Sequence, residues 1–177
     1  WLLRWLGHDQ VAVLDGGLDA WLQAGCEVTA LEPDPAPCEF RGEAGAMSVL
    51  NAEQVAAGIA DGSLVVVDVR TAERFRGEIE PLDRVAGHVP GAVNLPLGNN
   101  LSGTGGFQAP DALAALYENR LPDTDPSALA FMCGSGVSAC HSLLALEIIG
   151  WSGAALYAGS WSDWISDPHR PIATGGA

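Results

Sequence analysis

Positive charge is what this sequence has least of. Eight Lys and Arg residues stand against 22 Asp and Glu, for a formal net charge of −14. So acidic a chain repels phosphate backbones, which argues against nucleic acid as a partner. Any anionic ligand must instead be held locally, by a few arginines or by backbone N–H groups. Long apolar runs are missing too. None approaches the ~18 residues a spanning helix requires, so no membrane partner is expected. The four cysteines (Cys26, Cys38, Cys133 and Cys140) form no C-x-x-C pair. Their spacing suits neither a zinc site nor a disulfide framework, and reduced thiols in a cytoplasmic protein are the expectation. The sequence opens on "WLLRWLGHDQ" without an initiator methionine, and no basic-then-apolar pattern follows.

What is present is an ordinary globular composition, 48% hydrophobic and 17% charged over 177 residues. That length accommodates one full domain plus a fragment. An internal repeat says which part is the fragment. "LGHDQVAVLDGGLDAW" (residues 6–21) aligns with "IGWSGAALYAGSWSDW" (residues 149–164) at a constant offset of 143. In each copy a helix is expected to end at glycine, a short strand to follow, and a Gly-Gly or Gly-Ser turn to open a Trp-containing helix. Residues 1–30 are therefore expected to be the C-terminal tail of a first domain. Residues 31–46, with three prolines in "LEPDPAPCEF", read as a stiff linker, and residues 47–177 as a complete domain.

Within that domain, strand and helix signals alternate. "SVLNAEQVAAGIADG" reads as a helix capped by Asn51, with Gln54 at capping-box spacing. "LVVVDVR" and "ALAFMC" are continuous apolar runs typical of strands buried on both faces. "GAVNLP" gives a short strand, and "PDALAALYENR" a helix opened by Pro110. A helix over 139–149, an "AALYA" strand and a "SWSDWI" helix complete the pattern. The expectation is an α/β fold, a mostly parallel sheet with helices on both faces. Ligands of such folds lie at the carboxyl ends of strands, and Cys133 sits at one.

Cys133 opens the loop Cys133-Gly134-Ser135-Gly136-Val137-Ser138, which joins that strand to the next helix. The glycines let successive N–H groups converge on one spot, and the helix N-terminus adds unpaired donors and its positive dipole end. An anion at the centre of that cup is stabilised, the Cys133 thiolate included. Ser135 and Ser138 can supply further donors. Two other readings stand beside this one: a core cysteine whose glycines merely turn the chain, and an anion-binding loop without a nucleophile. A Cys-x5-Arg phosphatase loop would need arginine where Ala139 stands, which disfavours phosphoryl chemistry.

"CGSGVSAC" resembles the active-site loop of the 3-mercaptopyruvate sulfurtransferases of the rhodanese superfamily. "VVVDVRTAERFRGEIEP", "AGHVPGAVNLP", "YAGSWSDW" and "DPHRPIATG" resemble further segments of that family, and "VAVLDGGLDAW" is similar to the end of its first domain. The likeness covers nearly the whole chain. It implies a tandem rhodanese fold whose second domain carries the nucleophile, with the active site between the domains. Cys133 would take sulfur from 3-mercaptopyruvate as a persulfide and pass it to a thiol such as reduced thioredoxin, or to cyanide. This is covalent catalysis that needs no metal or organic cofactor.

The same resemblance assigns substrate binding to Arg74 and to the loop residues Gly134, Ser135, Gly136, Val137 and Ser138. Asp68 and Arg70 would orient the loop, or form an ion pair that holds a turn. Family members usually carry a second arginine after the Glu-Pro, where this chain has Leu82; Arg84, two residues on, is the candidate substitute. The uncharged loop points to a keto acid rather than dianionic thiosulfate. A thiosulfate-preferring enzyme, and a non-catalytic sulfur-carrier or binding module, are the alternatives. His88 reads as a turn residue, Cys140 as packing, and Trp161 and Trp164 as pocket wall or helix packing.

Overall fold

The computed structural model describes residues 1–176. Its strands are β1 (Val49–Leu50), β2 (Val65–Asp68), β3 (Val93–Asn94), β4 (Leu129–Met132) and β5 (Ala155–Tyr157). They form one sheet in the order β1-β5-β4-β2-β3, with every neighbouring pair parallel. The helices are α1 (Leu2–Trp5), α2 (Gly17–Gln23), α3 (Ala52–Asp61), α4 (Ala72–Phe75), α5 (Pro110–Arg120), α6 (Ala139–Ile148) and α7 (Ser160–Trp164).

The apolar runs of β2 and β4 are continuous because both faces of the sheet are covered. Alternation sends Val67, Leu129 and Phe131 to one side, against Leu113 and Tyr117 of α5 and Leu143 and Leu146 of α6. Val66, Ala130 and Met132 go to the other, against Val55 of α3 and Trp161 and Trp164 of α7. Each buried side chain of the Leu or Phe class contributes ~1.5–3 kcal/mol, so these two layers hold the sheet. The α3 capping box forms as expected: Asn51 Oδ1 accepts from the Gln54 N–H, and Gln54 Oε1 from the Asn51 N–H, both at 2.9 Å.

Two features depart from the sequence reading. Val49–Leu50 form an edge strand, which the helical reading of that segment overlooked. Conversely, the strand expected within residues 11–14 is absent. Residues 1–46 hold only α1 and α2, and the end of the proline-rich segment folds back on α1: the amides of Gly45 and Ala46 both donate to the Trp5 carbonyl at 3.1 Å. This region reaches the sheet layers through Trp1, which packs beside the α5–α6 core, and through two polar contacts. Arg4 pairs with Glu147 at 2.9 Å, and Asp15 accepts from the Phe107 N–H at 2.9 Å.

Candidate active site

β4 carries Cys133 to the carboxyl edge of the sheet, and the β5–α7 turn holds it there. The Cys133 N–H donates to Ser160 Oγ at 3.1 Å, and that hydroxyl donates to the Tyr157 carbonyl at 2.9 Å. The Cys133 and Gly134 carbonyls accept from the amides of Trp161 and Ser162 at 3.1 and 2.9 Å. Ser160 is fully buried with φ +54°, a backbone region costly for a residue with a side chain, and these contacts keep it there.

The loop then does what its glycines allow. Gly136 has φ +79°, and a Cβ at that position would stand 2.5 Å from the Ala158 carbonyl oxygen, so a side chain is excluded. Among the described residues, the N–H groups of residues 134–139 find no protein acceptor. Every buried side-chain nitrogen and oxygen among those residues is partnered, so the open donors here belong to the main chain at the start of α6. Cys133 is 4% exposed and packs on the α5–α6 core, yet it also lines a cleft of about 150 Å³ with Arg70, Arg74, Leu97, Gly134 and Ser138.

The arginines of the cleft are held by carboxylates. Arg70 forms a buried pair with Asp68 at 2.6 Å, donates to the Gly87 carbonyl at 2.7 Å, and lies over the Trp161 ring at 4.7 Å. Arg74 pairs with Glu80 at 2.7 Å and with Asp83 at 3.4 Å. Burial pushes the Glu80 carboxyl up, but the Arg74 guanidinium and the Leu82 and Asp83 amides outweigh it, and its pKa is lowered.

Cys133, Gly134, Ser138, Arg70 and Arg74 thus share one cleft. Arg84 is not there; it donates to the Ile165 carbonyl at 2.8 Å. Ser135, Gly136 and Val137 do not line the cleft wall, and the Val137 side chain is 76% exposed. Neither Asp68 nor Arg70 hydrogen-bonds residues 133–138; the pair turns Arg70 toward the cleft, and the loop is braced by residues 160–162 instead. Those serines, with Glu80 and Asp83, escaped the sequence reading. The one available hint was the second-copy serine at 160, where the first copy has Gly17.

His88 occupies a buried turn, stacked on Phe75 at 3.7 Å with Nδ1 2.7 Å from that residue's carbonyl. Cys140 lies against the core, and burial pushes its thiol pKa up. A larger cavity of about 360 Å³ lies between residues 1–13 and α6, lined by Trp1, Phe107, Cys140 and Leu144. The cleft at Cys133 is smaller, but it brings a thiol together with two guanidiniums at the carboxyl edge of the sheet, which makes it the candidate site. Among the described residues no group of three or more His, Cys, Asp or Glu side chains is arranged to hold a metal ion. Nor is any helix long and apolar enough to cross a membrane.

Residues 51–167 match the family described as Rhodanese-like domain. A probable 3-mercaptopyruvate sulfurtransferase of Pseudomonas aeruginosa is 45% identical over 176 residues, spanning 99% of this chain and 62% of that protein. A putative thiosulfate sulfurtransferase, SseB, of Mycobacterium tuberculosis is 41% identical over 182 residues, spanning 100% of this chain and 62% of the relative. The chain therefore spans about three fifths of the length of these relatives. Among solved structures, the anaerobic ergothioneine biosynthesis enzyme from Chlorobium limicola, in complex with trimethyl histidine, superposes with a TM-score of 0.87 at 22% identity. That match covers 99% of this chain and 44% of the neighbour, and at this identity it speaks for the fold alone.

Proposed function

The chain belongs to the rhodanese-like domain family, and from that premise we propose that it carries the sulfur-transfer site of a 3-mercaptopyruvate sulfurtransferase. The Cys133 thiolate attacks the sulfur of 3-mercaptopyruvate. The carbon–sulfur bond breaks, a sulfur–sulfur bond forms, and the substrate's thiol proton ends on the methyl group of pyruvate. The cysteine is left as an anionic persulfide. A dithiol acceptor such as reduced thioredoxin then takes the outer sulfur, leaving as a disulfide with release of hydrogen sulfide and return of the thiolate. Cyanide would accept the same sulfur as thiocyanate. Thiosulfate is a second donor, with sulfite leaving in place of pyruvate. No resident cofactor is invoked.

The observation that carries this reading is the run of unpartnered amides at residues 134–139, in the loop that Cys133 opens and whose Gly134 and Ser138 line the cleft with it. Both the thiolate and the longer persulfide are anions that such donors stabilise without moving. Arg74 is the cleft guanidinium best placed for the substrate carboxylate, being only partly buried, while Arg70 is locked by Asp68. Arg84 donates to the Ile165 carbonyl and does not line the cleft, so this reading gives it no role in donor binding. All four cysteines are free thiols, which suits a reducing cytoplasm.

The test is pyruvate release from 3-mercaptopyruvate in the presence of dithiothreitol. Cys133→Ser should lower it on the order of 10³-fold or more, as loss of a covalent nucleophile does. Equal rates for variant and wild type would overturn the assignment.

A further inference from the structure

The two arginines that line the cleft are paired with more negative charge than they carry, and one carboxylate accounts for the excess. Arg70 and Arg74 face Asp68, Glu80 and Asp83, two positive charges against three negative. Asp68 and Glu80 are buried and fully engaged. Asp68 accepts from Nε and Nη2 of Arg70 and from the Arg70 amide. Glu80 accepts from both guanidiniums and from the amides of Leu82 and Asp83. These two acids already balance the two arginines.

Asp83 is the third, and its hold on the arginines is the weakest. Its Oδ2 lies 3.4 Å from Arg74 Nη2, a long contact, and its Oδ1 lies 2.8 Å from Ser162 Oγ. The same hydroxyl lies 2.8 Å from the Gly134 carbonyl and has one proton for the two acceptors. A Cβ placed on Gly134 would stand 3.9 Å from Asp83 Oδ2 and 3.6 Å from Arg74 Nη2. The carboxylate therefore hangs beside the residue that follows the nucleophile, against the guanidinium a donor must reach.

We propose that Asp83 is a specificity-determining residue of this site, a fixed negative charge that selects against dianionic sulfur donors and for donors carrying a single carboxylate. The inference rests on the sulfur-transfer reading above and deepens it. Repulsion between a fixed charge and a donor scales with the donor's charge. Thiosulfate arrives with two negative charges and its sulfite leaving group departs with two. 3-Mercaptopyruvate and pyruvate carry one each, on a carboxylate that can share Arg74. Thiosulfate is thus penalised twice as strongly along the whole path, while the atoms transferred are the same.

The experiment measures kcat/KM for both donors on the intact protein, wild type against Asp83→Asn. The amide keeps the shape and the Ser162 contact and removes the charge. The ratio of thiosulfate to 3-mercaptopyruvate efficiency should rise about 3- to 10-fold, as expected for one unit charge several ångströms away in a partly solvated cleft. That gain should shrink in 0.5 M salt. Asp83→Glu, which restores the charge, should return the ratio to within about twofold of wild type, and Asp83→Ala should repeat the rise if the amide misfolds. An unchanged or falling ratio in Asp83→Asn and Asp83→Ala overturns the inference. A second arm needs no turnover: calorimetric binding to Cys133→Ser. There, Asp83→Asn should tighten thiosulfate more than pyruvate, and equal effects on the two anions overturn the inference. Should wild type transfer no sulfur while this binding shift remains, the reading of the reaction falls and the role of Asp83 as an anion selector stands.

Discussion

The two copies of the internal repeat share their turns and part company at the strand. α1 ends at Trp5 and α6 at Ile148, 143 residues apart, and the glycines that follow, Gly7 and Gly150, have φ +79° and +78°. α2 opens at Gly17 with φ +63°, and α7 at Ser160 with φ +54°, again 143 apart. Between those landmarks the second copy is β5, paired with β4 and β1, whereas the first copy's Ala12-Val13-Leu14 is no strand at all. Val13 is 66% exposed, and its counterpart Leu156 only 4%. Local conformation followed local sequence in both copies. Strand formation required neighbours, and among the described residues only the second copy has them. Arg4 and Glu147, just ahead of the two copies and at the same offset of 143, pair at 2.9 Å, so α1 and α6 meet helix to helix.

The largest effect should come from the tryptophans. Trp164 is buried in the second copy, with its ring N–H on the Pro171 carbonyl, and Trp164→Ala should cost about 3–5 kcal/mol in chemical denaturation. Its equivalent, Trp21, is 39% exposed, and Trp21→Ala should cost below about 1 kcal/mol. Equal losses would break the contrast between the copies.

Ser160 sharpens it further, because the first copy has glycine there. Ser160→Ala leaves the buried Cys133 N–H without an acceptor and should cost about 1–3 kcal/mol, with a loss of sulfur transfer. Ser160→Gly also removes the hydroxyl but relieves the left-handed backbone, so its stability loss should be smaller by about 1 kcal/mol. Sulfur transfer should fall comparably in both. A rate unaffected by either change would mean the hydroxyl does not position the cysteine.

The ion pairs differ in the same direction, and the smallest effect of all is among them. Glu80 has a lowered pKa in the folded state, so its contribution to stability is present above the unfolded value of ~4.3 and lost as pH falls through the folded value. Glu80→Gln should therefore destabilise by about 1–3 kcal/mol at pH 7, and the gap to wild type should narrow steadily as pH falls through the folded value. The Arg4–Glu147 pair is substantially exposed, and Arg4→Ala should cost only about 0.2–1 kcal/mol, vanishing at high salt. Thermal melts against pH and salt read both.

The candidate site was legible where its signals are contiguous in the chain. Cys133, the glycines and the start of α6 lie in one segment of eight residues, so their mutual placement follows from turn and helix chemistry. Arg74 shares the cleft through the β2–α4 connection, on the strand next to β4. Arg84 was named for its sequence distance from Glu-Pro, but the loop path carries it to the Ile165 carbonyl. The braces at Ser160 and Ser162 are 27 and 28 residues from the loop atoms they hold, and nothing local marks them.

By itself the sequence determined the alternation of strand and helix, the helix caps and positive-φ turns, and the loop that can present amides to a sulfur anion. These are set by backbone sterics and by hydrogen bonds only a few residues long. Only the tertiary structure decided which of two similar segments becomes a strand, which arginines share the cleft with the cysteine, and that a third carboxylate lies beside Arg74 and Gly134. Those outcomes depend on partners brought together from distant parts of the chain, and a ladder bond or an ion pair exists only once both members have arrived.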